Sequence, residues 1–326
     1  MEDVNTAPQS APPERVFDPY EATLGLRHRD IIHMLEILSE PQAPRANKIK
    51  ALRLLNEVLP GRQHEAEMNG AIDILRPYLM QPPNGLLLNT LVAFNTLINT
   101  EDLAKKMLQD IPRIVEIIAP EIEPPLRREA ARLLRIIAEF VGPESPFLSG
   151  AVPKGLVAAV SDRDSQPEFL LEAYGLLSRL TNQQNIRIPL IDSNDFLTIM
   201  VRSFSKPMLR QVTIILASNI AMDPSHRGKL ALLNADILPN IEEFLKSEDE
   251  KLRYAVLSLI SLLGVPKEGK NDIATDEQLP DLINNIIKND PDESCRKAAD
   301  EVKILVSELP LGRAIMGGGE DDNQNK

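Results

Sequence analysis

Residues Asn234 to Asn289 decide the fold of this chain. The stretch opens Asn234-Ala235-Asp236-Ile237-Leu238-Pro239, runs on as an apolar helix to Leu245, and breaks at Lys246-Ser247-Glu248-Asp249. A second apolar run covers Leu252 to Leu263. After a polar loop the opening theme returns as Gln278-Leu279-Pro280-Asp281-Leu282-Ile283, with Leu279 lying 41 positions after Leu238. A period of this length marks an array of repeats rather than a globule.

The unit extends over almost the whole sequence. The apolar residue expected to open the long helix of each unit is Ile31, Ile72, Ile111, Val152, Phe196, Leu238 and Leu279, at spacings of 41, 39, 41, 44, 42 and 41 residues. Pro112, Pro153, Pro239 and Pro280 follow directly. A proline has a fixed φ and no N–H, which suits the first turn of a helix and marks its start. Apolar residues then recur at three and four, as in Ile111, Ile114, Val115 and Ile118. A second anchor, in the helix before each loop, is a small or β-branched residue with an apolar pair three and four later. It reads Ala51-Leu54-Leu55, Thr90-Ala93-Phe94, Ala130-Leu133-Leu134, Ala173-Leu176-Leu177, Thr213-Leu216-Ala217, Ala255-Ser258-Leu259 and Ala298-Glu301-Val302, the last two fitting less well.

Turn-forming residues lead into the helix starts, as in Asn69-Gly70-Ala71-Ile72, Ser149-Gly150-Ala151-Val152-Pro153 and Ser193-Asn194-Asp195-Phe196. These lead-ins resemble the armadillo repeat over about Leu24 to Leu309, with a HEAT array as the alternative. The expectation is an all-α, armadillo-type solenoid of about seven repeats spanning 23–316, its long helices lining the concave face. Residues 1–22, rich in Pro, Ser, Ala and Gln, and the acidic 317–326 are expected to be disordered tails. Within the first tail, 16–20 reads Val16-Phe17-Asp18-Pro19-Tyr20. Phe17 and Tyr20 suit a cap over the first helices or an arm that docks on a partner.

Composition narrows function. Net charge is −12 and the pI is near 5.0, which argues against a general nucleic-acid binder and against an anionic membrane as partner. The single Cys295 cannot form an internal disulfide, and a reducing compartment is expected. Met1-Glu2-Asp3-Val4 lacks the basic and apolar pattern of a signal peptide, and no apolar run approaches membrane-spanning length, so a soluble protein of the cytoplasm or cytoskeleton is expected.

No residue pattern in the sequence matches a catalytic or metal-binding motif. His28 and His33 are five apart, the wrong spacing for one helix face, and His64 and His226 stand alone. Gly228-Lys229 and Gly269-Lys270 lack the upstream glycines of a phosphate loop. Asp192-Ser193-Asn194-Asp195 has Leu197 where a calcium loop needs Gly. Arg296 and Lys297 flank Cys295 in a way that would lower its pKa, yet no His is near to activate it. The expectation is a non-enzyme without catalytic residues, cofactor, metal or small-molecule substrate.

Two charge features bear on binding. Arg127, Arg128, Arg132 and Arg135 share one helix, and Lys48, Lys50 and Arg53 occupy the equivalent place in the first unit. Arg128, Arg132 and Arg135 are spaced by four and three, so they form either a solvated face or a basic strip for an acidic protein partner. Against this, the Trp and Asn ladder of armadillo transport receptors is missing. The chain has no Trp, and six residues past each second anchor come Glu57, Thr96, Ile136, Arg179, Asn219, Ser261 and Ile304.

One stretch is more specific. Val265-Pro266-Lys267-Glu268-Gly269-Lys270-Asn271, followed by Leu279-Pro280-Asp281-Leu282-Ile283 and Asp290-Pro291-Asp292-Glu293, resembles a repeat of the radial spoke head 14 homolog family. Asp18-Pro19 and Gly25-Leu26-Arg27-His28 are similar to that family's entry, and Leu311-Gly312-Arg313-Ala314 to a later Gly-Arg loop. The resemblance implies a non-catalytic scaffold of radial spokes in the cilium or flagellum axoneme, binding other spoke proteins near the doublet microtubule. A cytoplasmic armadillo adaptor in signalling or trafficking is the alternative.

Overall fold

The computed structural model describes residues 30–316. Phe17, Tyr20, His28 and the two tails lie outside them. Among the described residues every regular element is a helix.

The first unit contributes α1 (Ile31–Ser39) and α2 (Arg45–Val58). The second is α3 (Gln63–Met68), α4 (Ala71–Leu75, extended by a 3-10 turn Arg76–Met80) and α5 (Gly85–Leu97). Next come α6 (Glu101–Lys106), α7 (Ile111–Ile117) and α8 (Pro124–Val141), then α9 (Ser145–Leu148), α10 (Val152–Val160) and α11 (Pro167–Leu180). The fifth unit is α12 (Gln184–Ile191), α13 (Asn194–Ser203) and α14 (Arg210–Ala221). The sixth is α15 (Arg227–Asn234), α16 (Leu238–Ile241, extended by Glu242–Lys246) and α17 (Glu250–Leu263). The seventh is α18 (Lys267–Thr275), α19 (Leu279–Asn289) and α20 (Glu293–Ser307), and α21 (Pro310–Met316) follows. Six units thus show three helices, short, intermediate and long, which is one helix more than a HEAT unit has.

The expected assignment of the long helix is corrected. The Pro-marked start belongs to the second helix of each unit, and the third is the longest: α7 has 7 residues and α8 has 18, α19 has 11 and α20 has 15. Apolar density misleads here. The second helix is buried on much of its surface, while the third keeps a polar face that hides its extent. The second anchor lies in these third helices. In the sixth and seventh units it slips by one residue, because Val256 and Ala299 are fully buried whereas Ala255 is only partly so. The slip accounts for the weaker fit in the sixth unit, where it gives Val256-Leu259-Ile260, and in the seventh Lys303 still interrupts the pair.

Third helices pack on one another in sequence, α2 on α5, α5 on α8, and so on to α20, forming a continuous wall. The core runs through all units without interruption and consists mainly of Leu, Ile, Val and Ala. Each fully buried aliphatic side chain contributes about 1.5–3 kcal/mol, and each is covered in part by a neighbouring unit. Gly70 and Gly150 take left-handed φ of 72° and 61° in the lead-ins, and Asp236 takes the same place at 63°. A short polar side chain tolerates that region where most residues do not.

Gly228 and Gly269 have a different duty. A Cβ on Gly228 would stand 2.0 Å from the Ile220 carbonyl oxygen, and one on Gly269 would stand 1.9 Å from that of Leu263. The first helices of the sixth and seventh units therefore press on the last turn of the preceding third helix, and Gly312 of α21 repeats the contact on Val306. These glycines serve close packing, in line with the rejection of a phosphate loop. Gly228→Ala or Gly269→Ala is expected to destabilise the chain by about 1–3 kcal/mol in urea unfolding. Gly85→Ala, with open space around the site, should be neutral or stabilise by up to about 1 kcal/mol.

Candidate protein-binding surface

The candidate cations all lie on two third helices, α2 and α8. They sort by repeat position. Three residues before the second anchor, counted from Val256 and Ala299 in the last two units, stand Lys48, Arg127, Arg210, Arg253 and Arg296, and each is engaged within the protein by a bond or an aromatic ring. Arg127 is 5% exposed. It pairs with Asp162 of the next unit at 2.7 Å, donates to the Ile118 and Ala159 carbonyls and to Ser165, and lies 4.4 Å from the Phe169 ring centroid. Arg253 grips Asp290 with two bonds of 2.7 and 2.9 Å and caps the Ser247 carbonyl. Arg210 stacks on Phe244, Lys48 on Tyr78, and Arg296 donates to the Asp290 carbonyl.

Burial alone would raise the Asp162 carboxyl. The Arg127 hydrogen bond and the Asp164 amide outweigh it and hold the group below the usual carboxylate range. Asp223, paired with Arg187, is lowered in the same sense against its own burial, with Ser225 contributing most.

The outward position is two residues past the anchor, where Arg53 and Arg132 both stand exposed. Arg128 is half-exposed and pairs at 2.8 Å with the buried Glu129. Arg135 lays its stem across Gly175 and bonds Glu172 at 2.6 Å and Glu139 at 3.4 Å. Lys50 is partly buried and has interactions within the protein. The strip read from sequence therefore divides. Arg127 and Lys48 are turned to internal packing, Arg128 and Arg135 are largely neutralised, and Arg53 and Arg132 face solvent.

Sequence reasoning missed a groove of mixed character at one end of the wall, where Ser258, Ser261 and Ser294 stand beside apolar side chains. A groove of about 480 Å³ lies between α17 and α20, lined by Met222, Tyr254, Leu257, Leu262, Lys297 and Glu301 among others. Met222 and Tyr254 are 56% and 48% exposed, and Ile215 on α14 is 46% exposed. The available signal was Tyr254, an aromatic two residues before the buried Val256 and nine before the buried Leu263, positions on the opposite side of the helix. The one asparagine at the ladder position, Asn219, donates to the Ser178 carbonyl of the neighbouring third helix. Asn56 and Asn95 also bond across third helices, to the carbonyls of Asn89 and Glu129. These amides tie the wall together.

Cys295 is buried and its thiol is pushed up to about 11, chiefly by burial and then by Asp292 and Asp290. This corrects the expectation that Arg296 would lower it, since Arg296 is turned to the Asp290 and Pro291 carbonyls. His33 lies beside Glu36 and His64 beside Glu67. Among the described residues no group of three His, Cys, Asp or Glu is placed to hold a metal, and no helix is long and apolar enough to cross a membrane.

Comparison with solved structures decides the architecture. A designed armadillo repeat protein in complex with the peptide (KR)4 superposes with a TM-score of 0.59 at 17% identity, over 72% of this chain and 99% of that one. The fold is an armadillo-type α-solenoid. An engineered protein solved by a structural genomics consortium gives a TM-score of 0.71 at 15% identity, over 91% of this chain and 73% of that one. The chain matches no family model and no curated protein sequence.

Arg127→Met should lower stability by about 3–5 kcal/mol in urea unfolding, because it strands Asp162, whereas Arg132→Met should stay within about 0.5 kcal/mol. The depressed native pKa of Asp162 makes its stabilisation complete above about pH 4 and lost as pH falls through the native value. The difference in urea midpoint between pH 7 and pH 3 should therefore be smaller in Asp162→Asn than in the parent.

Proposed function

We propose that this chain is a non-catalytic scaffold that binds other proteins through the outer face of its third helices. The supporting observation is the wall itself. Seven stacked helices carry a groove with the exposed Met222 and Tyr254 at one end and the solvent-facing Arg53 and Arg132 towards the other. A solenoid buries its units only against one another, so such a face stays available along its full length. The designed armadillo protein with a similar fold was solved with a peptide bound, which agrees with a protein partner. The perturbed titratable groups described above belong to internal ion pairs or to packed side chains.

The finer proposal is a structural subunit of the radial spoke in the ciliary or flagellar axoneme. It rests on the resemblance around Pro266 to Asn271 and Leu279 to Ile283 to the radial spoke head 14 homolog family. Axonemal neighbours near the doublet microtubule would then be the partners, through Arg53, Arg132 and the Tyr254 groove, with Phe17 and Tyr20 as a second contact. Arg128, Arg135 and Lys50 would border that contact.

Two measurements test this. In a flagellated cell, the tagged chain should stay with detergent-extracted axonemes; a purely soluble pool supports the cytoplasmic adaptor instead. In the same cell, Arg53→Glu with Arg132→Glu and Tyr254→Ala should reduce chemically cross-linked partners at least tenfold while helicity and Tm hold. Unchanged cross-linking rejects the third-helix face as the contact.

A further inference from the structure

A second groove lies in the layer of second helices, on elements that take no part in the third-helix wall. It encloses about 670 Å³ between α7 and α10 of adjacent units. Pro112, Val115 and Ala119 form one wall, and Val152, Gly155 and Ala158 the other. The wall spacing is set by Gly155, where a Cβ would come within 2.6 Å of Val115 Cγ1.

The chemistry of the lining selects the kind of occupant. Its polar side chains are few, Gln109, Glu116 and Ser149, and Pro112, Pro120 and Pro146 bring no N–H donors. An extended segment laid here would leave its own backbone groups unpaired, at about 1–3 kcal/mol for each buried one. An α-helix satisfies its backbone internally and needs only an apolar groove for its apolar stripe. Charge then orients the helix. Glu116 stands on the groove and is held by Arg113 at 2.8 Å. Glu121 and Glu123 beside Pro120, and Glu144 beside Pro146, are all exposed. Arg113 on α7 and Lys154 on α10 are the cations of the two helices, against the four carboxylates of Glu116, Glu121, Glu123 and Glu144.

We propose that the α7–α10 groove docks an amphipathic helix of a partner protein, apolar on the buried side and flanked by Lys or Arg. Its docking is independent of the third-helix wall.

The test uses the full chain and a fluorescein-labelled 18-residue peptide with Leu at helical spacing and Lys on its flanks. Fluorescence anisotropy should show saturable binding that weakens with salt, and circular dichroism should show helix induced in the peptide. A peptide with Glu in place of Lys, or with the same residues scrambled off one face, should bind at least tenfold more weakly. Ala158→Arg, at an exposed position that tolerates a larger side chain without refolding the core, should reduce affinity at least tenfold, and Glu116→Gln severalfold. Tyr254→Ala should leave it unchanged, which separates this site from the wall. Absent binding, equal binding of the Glu peptide, or full binding to Ala158→Arg overturns the proposal. So does a gain in affinity on deleting residues 1–22, which would make the chain's own arm the occupant, or a concentration-dependent dimer in sedimentation that the peptide dissolves, which would make it a second copy.

Discussion

The structure depends on one repeated interaction, a cation near the start of a third helix that fastens one unit to its neighbours. Arg127 reaches Asp162 and Phe169 of the following unit, Arg253 reaches Asp290, Arg210 covers Phe244 and Lys48 covers Tyr78. The same side chains cap carbonyls where the second helix ends, as Arg210 does at Phe204 and Arg253 at Ser247. A helix C-terminus leaves carbonyls without partners and carries partial negative charge, so a cation there is doubly favoured. Burial makes the fastening exacting, since removal of either member leaves a charge stranded in low dielectric. First helices repeat the device from the other side, with Arg187, Lys229 and Arg313 donating to the carbonyls of Thr181, Asp223 and Ser307.

This geometry explains how an acidic chain holds buried cations and why its surface is available. The cations are consumed by the joints between units, each satisfied by a carboxylate, a ring face or a helix end. Tight joints in turn require glycine where backbone meets backbone, at Gly228, Gly269 and Gly312. What remains on the outer faces are groups that no neighbour needs: Arg53 and Arg132, the Met222 and Tyr254 groove, and the apolar channel of the second-helix layer. Binding potential and packing are thus divided by repeat position, three residues before the anchor for joints and two after it for solvent.

Much of the architecture was legible in the sequence, and the failures have physical causes. The period, the Pro-marked helix starts and the left-handed lead-ins at Gly70 and Gly150 follow from local backbone constraints, which neighbouring residues report directly. The ranking of helix lengths was not legible, because a third helix such as α8 shows half its circumference to water and its polar residues read as interruptions. Nor was the fate of the arginines. Arg127 and Arg132 look alike in a list of cations, and what separates them is Asp162, 35 positions away. The Tyr254 groove needed the stacking of α17 on α20 before its lining could be assembled.

If each unit gains stability only from those beside it, protection should be graded along the chain. Native-state hydrogen exchange, resolved by helix, measures this directly. The account predicts the slowest exchange in α8, α11 and α14, the three central third helices of the stack, with opening free energies falling towards α2 at one end and α20 at the other. One common opening free energy for every helix, or greatest protection at the ends, would contradict it.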